Sequence, residues 1–248
     1  MCLSVMKFGG AAFKSPVHFS NVASILASKK GKKVVIVSAI EHVTDSLHNL
    51  ARQISHHPPA RELDMLLSVG ERVSMSLLAM ALHEKGISAA SLTGSQSGVI
   101  TSGNHNNAQI VDVKPQRIID TLAKNDVVVI AGFQGVSSSK EITTLGRGGS
   151  DISAVAIAKA LGVKYVTFYK DVKGIYTKDP KESSDAVLIK QLSFEKALSF
   201  TNSAVDLRAI ALAKESNTPL FIQSFKFFHS SSTVGTWIGN AQSDGARI

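Results

Sequence analysis

The sequence predicts an α/β protein whose central sheet is mainly parallel and carries helices on both faces. Strand-like and helical stretches alternate along all 248 residues, which is typical of parallel sheets with crossover helices. The strand-like stretches 33–40 and 126–131 are almost continuously apolar, as expected of strands buried on both faces. The 18 glycines and the low aromatic content of 6% suit many tight turns between strands and helices.

The first half of the chain is predicted to alternate in this way from its start. A strand at 3–8 precedes a helix capped by Ser15, with Pro16 at the first helical position, where its missing N–H is no loss. The strand 33–40 is followed by a helix from about Thr44 that ends at "HHPP". A long amphipathic helical region and a further strand follow, at 63–83 and 88–92.

The second half repeats the pattern without a tandem repeat or a low-complexity linker. A helix is expected at 115–123, a strand at 126–131, and a glycine-rich hairpin and loop up to Asp151. The remaining predicted elements are a helix at 151–161, a strand at 165–169, helices at 194–200 and 205–215, and strands at 219–223 and 233–238. Ligands are then expected at the carboxyl ends of the parallel strands.

Composition excludes several classes of protein. The longest apolar runs are too short to span a bilayer, and the N-terminus lacks the pattern of a secretory signal, so we expect no membrane association. The single cysteine, Cys2, excludes an internal disulfide framework and fits a cytoplasmic location. The net charge of +8 raises the question of whether the protein binds nucleic acid. The cluster "KKGKK" at 29–33 is better interpreted as a solvated helix end, because no aromatic residues that could stack on bases are interleaved with it. We therefore expect no nucleic-acid partner.

The stretch "KFGG" at 7–10 follows the first predicted strand. Gly9 and Gly10 permit a tight turn whose N–H groups face an anion, and Lys7 adds a positive charge suited to phosphate. An ordinary turn after a strand would give the same pattern.

The stretch "TLGRGGSD" at 144–151 opens a predicted helix. Capping of that helix explains Ser150 or Asp151 without any ligand. It does not explain an arginine, Arg147, held between glycines, so we interpret this stretch as a ligand-binding loop.

Two further stretches are ambiguous by themselves. "YKDVKGIYTKDPK" at 169–181 places Asp171 at a strand end, where an acidic residue often meets a ribose hydroxyl, but a charged surface hairpin fits equally well. Glu71 lies in the apolar helical stretch "VGERVS", and a helical glutamate is ordinarily expected to face solvent.

Taken together, these stretches resemble the aspartate kinases, a branch of the amino-acid kinase superfamily. The most specific part is the pairing of "TLGRGGSD" with the run "DVKGIYTKDP", and the resemblance covers essentially the whole chain. The matching stretches also include "KFGG", "VSA" at 37–39, "GER" at 70–72, "TGSQSG" at 93–98, "GFQGV" at 132–136 and "TPLFI" at 218–222.

The resemblance implies a three-layer αβα sandwich, the amino-acid kinase fold, as a single domain over residues 1–248. An amino-acid-binding lobe would span about 1–145 and a nucleotide-binding lobe about 146–248. The implied reaction is phosphorylation of the L-aspartate β-carboxylate by ATP to 4-phospho-L-aspartate, which opens lysine, threonine, methionine and diaminopimelate biosynthesis. Mg²⁺ would be held mainly by the nucleotide phosphates, with no metal site of the protein's own. No general base is needed, because the carboxylate is already ionised at neutral pH.

Site residues are carried over from the resemblance position by position. Lys7 and Asp151 are the implied catalytic residues; Lys7 neutralises the transferring phosphoryl group and Asp151 orients that lysine. Glu71 would take the substrate's α-amino group and Arg147 its α-carboxylate. The implied ATP-binding residues are Lys7, Phe8, Gly9, Gly10, Ser38, Lys170, Asp171, Tyr176, Lys178 and Lys181. The implied substrate-binding residues are Thr44, Glu71, Arg147, Gly148, Gly149 and Ser150.

The sequence departs from the family pattern at several of these places. Ala11 and Ala12 stand where a hydroxyl residue usually follows "KFGG", which removes a hydroxyl expected beside the transferring phosphate, and Glu41 replaces a glycine. Lys170 replaces a small hydroxyl residue, Lys173 an acid and Lys181 an arginine. The loop near 199–205 is shortened and lacks a lysine that assists phosphoryl transfer in the family, a charge that Lys170 could supply from the nucleotide side.

Two functions therefore stay open at this point: an active aspartate kinase, or a catalytically weakened paralogue that binds nucleotide or amino acid as a regulatory subunit. A kinase for another carboxylate or a carbamate is less favoured, because Glu71 and Arg147 together suit an α-amino acid. The sequence has no counterpart of the ACT-type regulatory domains that many aspartate kinases carry, so feedback inhibition through them is not expected unless a separate subunit supplies them. A homodimer is the default expectation.

Overall fold

The computed structural model describes residues 3–179, 182–183, 185–200, 204–226 and 234–239. The strands in chain order are β1 Leu3–Phe8, β2 Lys32–Val37, β3 Ala89–Leu92, β4 Val99–Thr101, β5 Ile110–Val113, β6 Val127–Ala131, β7 Gln134–Ser137, β8 Ile142–Thr144, β9 Val166–Lys170, β10 Gln191–Leu192, β11 Leu220–Ser224 and β12 Gly235–Ile238. The helices are α1 Pro16–Ala27, α2 Val43–Ile54, α3 Ala60–Leu67, α4 Val69–His83, α5 Gln116–Lys124, α6 Gly149–Leu161, α7 Phe194–Leu198 and α8 Leu207–Glu215, with a 3₁₀ turn at Gly10–Phe13.

The main sheet has eight strands in the order β10-β12-β11-β9-β1-β2-β6-β3. Every neighbouring pair is parallel except β11 with β12. The strands β1 and β2 occupy the middle of this sheet, which brings the ends of β1, β2 and β9 side by side. The prediction of a mainly parallel sheet in an α/β protein is therefore confirmed.

Both faces of the main sheet are buried, and the strand sequences show why. In β2, Val34 and Ile36 belong to one hydrophobic cluster, whereas Val35 and Val37 belong to the other. Neighbouring side chains of a strand point to opposite faces, so only a continuous apolar run can fill both clusters. Helices α1 and α4 contribute to the cluster that contains Val35, while α5, α6 and α8 contribute to the other.

Four further strands form a smaller, separate sheet with the order β5-β4-β7-β8. The strands β7 and β8 form the antiparallel hairpin predicted from the glycine-rich stretch. The strands β4 and β5 were not predicted, because each is only three or four residues long and β5 is largely exposed. This sheet carries the chain from β6 to the loop that precedes α6.

Several predicted boundaries differ from the structure. The strand expected at 33–40 ends at Val37, and the following segment leaves the sheet. The single helical region expected at 63–83 is two helices, α3 and α4, which meet at Ser68. Ser15 occupies the N-cap position of α1 as expected, but its hydroxyl bonds to the ring of His18 instead of a backbone N–H.

The stretch Ala60–His83, which comprises α3 and α4, is long and apolar enough to cross a membrane by length and composition alone. Half of its apolar window is buried inside the protein, and its residues Leu78 and Leu82 are fully buried in the core. A core helix that packs on a sheet passes the same test, and that is the arrangement here.

Candidate active site

A cavity of about 410 Å³ lies where β1, β2 and β9 end and α6 begins. We call it the strand-end cavity. Its position agrees with the expectation that ligands bind at the carboxyl ends of parallel strands. The implied site residues that line it are Lys7, Gly9, Gly10, Ser38, Thr44, Glu71, Arg147, Gly148, Gly149, Ser150, Asp151 and Lys170.

A second space, of about 510 Å³, adjoins the end of β9 and is called the β9 groove. It is lined mainly by the segment that follows β9, together with Phe200 and Ala204. Of the implied nucleotide residues, Lys170, Asp171, Tyr176 and Lys178 line it. Among the residues that the structure describes, Lys170 alone lines both spaces.

One implied nucleotide residue that the structure describes, Phe8, lines neither space. The Phe8 side chain is fully buried and stacks on Tyr169, with ring centroids 4.3 Å apart. Only its backbone lies near the site, where its carbonyl accepts a hydrogen bond from the Ser38 N–H at 3.1 Å. A contact between Phe8 and a nucleotide would therefore come from its backbone. Lys181 lies outside the described residues, as do residues 201–203 of the shortened loop.

The centre of the strand-end cavity is the carboxylate of Asp151. The ammonium group of Lys7 lies 2.6 Å from its Oδ1. Lys170 donates to the same carboxylate at 3.1 Å and 3.3 Å, and the backbone N–H of Asp206 donates to Oδ2 at 3.1 Å. This cluster arises from strand pairing, because β1 lies next to β9 and α6 starts at their carboxyl ends.

Burial and charge act against each other in this cluster. Burial disfavours the ionised form of Asp151, but the two lysines overcome it and lower the pKa of Asp151 to about 2. For Lys7, burial is the larger effect and lowers its pKa to about 8, although Asp151 opposes that shift. At pH 7 both members of the Lys7–Asp151 pair are therefore charged.

Glu71 is buried, with only 3% of its surface exposed, so the expectation that it faces solvent is wrong. It lies in the first turn of α4, where Gly70 lets the helix approach Ala39 closely. Its Oε1 accepts the N–H of Ala39 at 3.0 Å, whereas Oε2 has no partner among the described residues. Burial raises the pKa of Glu71 to about 7. An unpaired buried carboxylate oxygen is costly and suits a cationic ligand group.

The loop before α6 exposes Arg147 to the strand-end cavity. The helix N-cap is Gly148, not Ser150 or Asp151, and its φ of 69° is left-handed. A Cβ on Gly148 would also overlap the Asp206 carboxylate, so both backbone and space require glycine here. The carbonyl of Arg147 accepts from the Arg208 guanidinium, which ties the loop to α8.

A buried carboxylate that the sequence did not reveal, Asp64, supports this loop from the other side. Asp64 is fully buried in α3 and accepts hydrogen bonds from His105 Nδ1 at 2.7 Å and from the Asn106 N–H at 3.1 Å. The hydroxyl of Thr144, the last residue of β8, donates to the same carboxylate. The next residues along the chain form the loop that carries Arg147.

A signal for Asp64 was present in the sequence. Asp64 precedes Glu71 by two helical turns, so the two acids recur on one side of an apolar helical region. Asp206 was also missed as a partner of Asp151, because the contact uses its backbone N–H, which carries no side-chain signal.

The positions that depart from the family pattern fall in different places. The side chain of Ala12 is buried in the core, and neither Ala11 nor Ala12 lines the strand-end cavity. Glu41 does line the cavity, but its carboxylate lies 2.8 Å from Lys14, which offsets its charge.

The described residues contain no group of three or more histidine, cysteine, aspartate or glutamate side chains arranged to hold a metal ion. Asp151, the carboxylate at the centre of the site, is already occupied by two lysines. This donor set suits a divalent cation that arrives bound to a phosphate ligand better than a resident metal.

Comparison with known proteins gives a consistent result. Residues 3–224 match the model of the amino acid kinase family. The aspartokinase of Geobacillus stearothermophilus is 46% identical over 230 residues, which cover 90% of this chain and 56% of that protein. The aspartokinase of Corynebacterium efficiens is 43% identical over 251 residues, covering 98% of this chain and 59% of that protein. The chain thus spans a little over half the length of these relatives.

Solved structures agree with the sequence comparison. The aspartate kinase of Synechocystis superposes with a TM-score of 0.82 at 38% identity, covering 97% of this chain and 40% of that one. Aspartokinase III of E. coli, solved in complex with aspartate and ADP, has a TM-score of 0.83 at 23% identity, covering 98% of this chain and 66% of that one. The second likeness supports the fold alone.

Proposed function

The chain belongs to the amino acid kinase family, and on that premise we propose that it transfers the γ-phosphoryl group of ATP to the β-carboxylate of L-aspartate. The observation that carries the proposal is Glu71. Its buried carboxylate has one oxygen without a partner among the described residues, and it lines the same cavity as Lys7, Arg147 and Asp151. A site of this kind has a place for an ammonium group, a carboxylate and a phosphoryl group.

The substrate's two charged α-groups are assigned to opposite charges in the strand-end cavity. The α-ammonium group would pair with Glu71 Oε2 and satisfy that buried oxygen. The α-carboxylate would pair with the guanidinium of Arg147, whose planar fork matches a carboxylate. Thr44 lines the same cavity and is available for a further hydrogen bond. Because a site built for both groups rejects acids that lack either, it favours an α-amino acid.

The nucleotide is assigned to the β9 groove. Asp171 and Tyr176 line this groove and suit the ribose and base, and Lys178 lies along its rim. The triphosphate would extend past Lys170 toward Lys7, with Gly9, Gly10 and Ser38 around it in the strand-end cavity. The Mg²⁺ of MgATP neutralises phosphate charge and enters with the nucleotide.

The reaction itself is an electrostatic problem, because one anion attacks another. A β-carboxylate oxygen forms a bond to the γ-phosphorus, the bond from that phosphorus to the β,γ-bridging oxygen breaks, and its electron pair leaves with ADP. Lys7 stabilises the negative charge on the transferring group, and Asp151 holds Lys7 in place at 2.6 Å. No proton transfer is required of the protein.

The test is turnover of MgATP with L-aspartate, with the acyl phosphate trapped as its hydroxamate. We expect hydroxamate formation that depends on both substrates and is abolished in Lys7→Ala. L-Glutamate and succinate serve as alternative acceptors. L-Glutamate has one more methylene than L-aspartate, and succinate lacks the α-amino group that is assigned to Glu71. Absence of turnover above the Lys7→Ala control would overturn the proposal.

Calorimetric measurement of ATP and aspartate binding distinguishes the active kinase from the remaining alternative, a non-catalytic paralogue. That alternative requires binding of ATP or aspartate without turnover. Its support in the sequence included Ala11 and Ala12, but the active kinase is favoured, because the relatives at 43% and 46% identity are aspartokinases. A role in the pathway to lysine, threonine, methionine or diaminopimelate, a homodimeric state and a cytoplasmic location belong to the same proposal. Rescue of an aspartokinase-deficient strain and light scattering test the first two.

A further inference from the structure

Lys170 occupies an unusual position between the two spaces. It is the last residue of β9, next to β1, where Tyr169 pairs with Phe8 in register. Its ammonium group contacts Asp151, while its side chain also lines the β9 groove. Lys170 therefore lies at the boundary between the groove and the strand-end cavity.

The charges around Asp151 do not balance. One carboxylate faces two ammonium groups, of which Lys7 is the closer at 2.6 Å and Lys170 the more distant at 3.1 Å. Lys7 alone would neutralise Asp151, and the positive charge of Lys170 weakens the charged state of Lys7. The Glu71 carboxylate favours charged Lys7 from a longer range, but burial raises the pKa of Glu71 to about 7, so it offsets the second cation only in part. An excess cation is costly in a largely buried site. The arrangement is therefore better suited to a ligand that brings additional negative charge than to stability of the empty protein.

We propose that Lys170 is a second catalytic lysine, which contacts the γ-phosphoryl group during its transfer from ATP to the amino-acid carboxylate. This inference rests on the proposed function. As the bond to the β,γ-bridging oxygen breaks, Lys170 turns from Asp151 toward the phosphoryl and leaving oxygens, while Lys7 keeps its own contact with Asp151. The resemblance to aspartate kinases implies a small hydroxyl residue at this position, so Lys170 is a departure from that pattern.

The experiment compares Lys170→Met, Lys170→Arg and the wild type in the hydroxamate assay. Removal of one charge-stabilising group is expected to lower kcat by about 100-fold, with smaller changes in the KM values for MgATP and aspartate. Lys170→Arg, which keeps the charge, is expected to recover a substantial part of kcat. The matched control is Lys173→Met, an exposed lysine on the same segment that lines neither space, for which kcat is expected to stay unchanged.

Each outcome is decisive. A raised KM for MgATP with unchanged kcat in Lys170→Met would show a role in nucleotide binding only and overturn the proposal. Unchanged kinetics would show a structural ion pair and overturn it as well. A loss of kcat in both Lys170→Met and Lys173→Met, or one that follows a lower unfolding temperature, would indicate a general effect and also count against it. If the wild type itself has no turnover, the proposed function fails too, whereas wild-type turnover with intact Lys170→Met activity sinks only this inference.

Discussion

The strand-end cavity and the β9 groove share Lys170 in their linings but differ in how far their charged side chains are exposed to solvent. In the strand-end cavity, Lys7, Glu71 and Asp151 are between 3% and 4% exposed. In the β9 groove, Asp171 and Lys178 are exposed to solvent. Buried charges interact strongly and are already in place before a ligand arrives, whereas exposed charges are screened by water and salt. The first arrangement suits stabilisation of a transition state and the second suits reversible binding.

The largest effect is expected from Asp151→Asn, which removes the buried negative charge at the centre of the strand-end cavity. It removes the carboxylate that both Lys7 and Lys170 contact, which is expected to destabilise the protein by roughly 3–5 kcal/mol. Asp151 raises the pKa of Lys7 against the effect of burial, so its loss moves the pKa of Lys7 below about 8. The alkaline limb of the kcat/KM profile is then expected to shift to lower pH.

Urea unfolding and pH–rate profiles measure both effects. The matched control is Asp185→Asn, in which the lost carboxylate pairs with Lys178 on the surface, 2.6 Å away. Exposed pairs contribute little, so its stability and pH profile are expected to stay close to the wild type. Equal behaviour of the two variants would contradict the contrast between the two spaces.

Glu71→Gln, in the same cavity, is expected to raise the stability of the protein at pH 8 and to lower its activity. The pKa of Glu71 is raised to about 7 from 4.5, so between these pH values the folded protein binds a proton that the unfolded chain releases. Wild-type stability therefore falls as pH rises through this window, by about 3 kcal/mol in total. The glutamine variant lacks this dependence and is expected to be the more stable protein at pH 8, with the difference shrinking toward pH 5.

The same substitution is expected to lower kcat/KM for aspartate by roughly 10- to 100-fold, because the ammonium partner is lost. Denaturant unfolding at pH 5 and pH 8 and the hydroxamate assay measure the two opposite changes. Glu84→Gln, at the exposed end of the same helix, is the control. A glutamine variant with full activity, or one no more stable than the wild type at pH 8, would refute the assignment.

A smaller effect is expected from Thr144→Val, which acts through the support of the Arg147 loop. The variant removes the hydroxyl donor to the buried Asp64 carboxylate, at an expected cost of about 1–3 kcal/mol in stability. The KM for aspartate is expected to rise more than the KM for MgATP, since only the strand-end cavity contains Arg147. Thr121→Val, on α5, is the control; equal rises in both KM values would argue against a local effect.

The smallest effect is expected from Lys178→Ala in the β9 groove. Its ammonium group is exposed and pairs with Asp185, so its loss is expected to change stability little. A few-fold higher KM for MgATP with unchanged kcat is the expected result, measured by initial rates at saturating aspartate. A large fall in kcat would show that the groove takes part in the chemical step and would remove the distinction between the two spaces.

Much of the fold could be predicted because the signals are local. The apolar runs of β2 and β6 and the placement of Pro16 depend on neighbouring residues only. The strands β4 and β5 escaped prediction because their pairing, not their composition, defines them. The break at Ser68 was missed for a similar reason, since its carbonyl accepts a hydrogen bond from the distant Gln134 side chain at 2.7 Å.

The candidate site was predicted in its residue types but not in its physical state. Motifs of lysine, arginine and glycine indicated an anion site, yet the environment of Glu71 was misjudged, because burial is a property of the packed structure. Alternation along β1 turns Lys7 toward the site and Phe8 into the core, but which face holds the site depends on the neighbouring strands.

The sequence by itself determined the alternating α/β architecture and supplied the charged residue types of the candidate site, because periodicity and side-chain chemistry depend on neighbouring residues. Only the tertiary structure decided how those groups act. Parallel pairing of β1 with β9 brings Lys7 and Lys170 from distant parts of the chain onto the Asp151 carboxylate. Packing of α4 against the segment after β2 buries Glu71 and leaves one oxygen for a ligand. Such distances and desolvation depend on long-range packing, which no single stretch of sequence encodes.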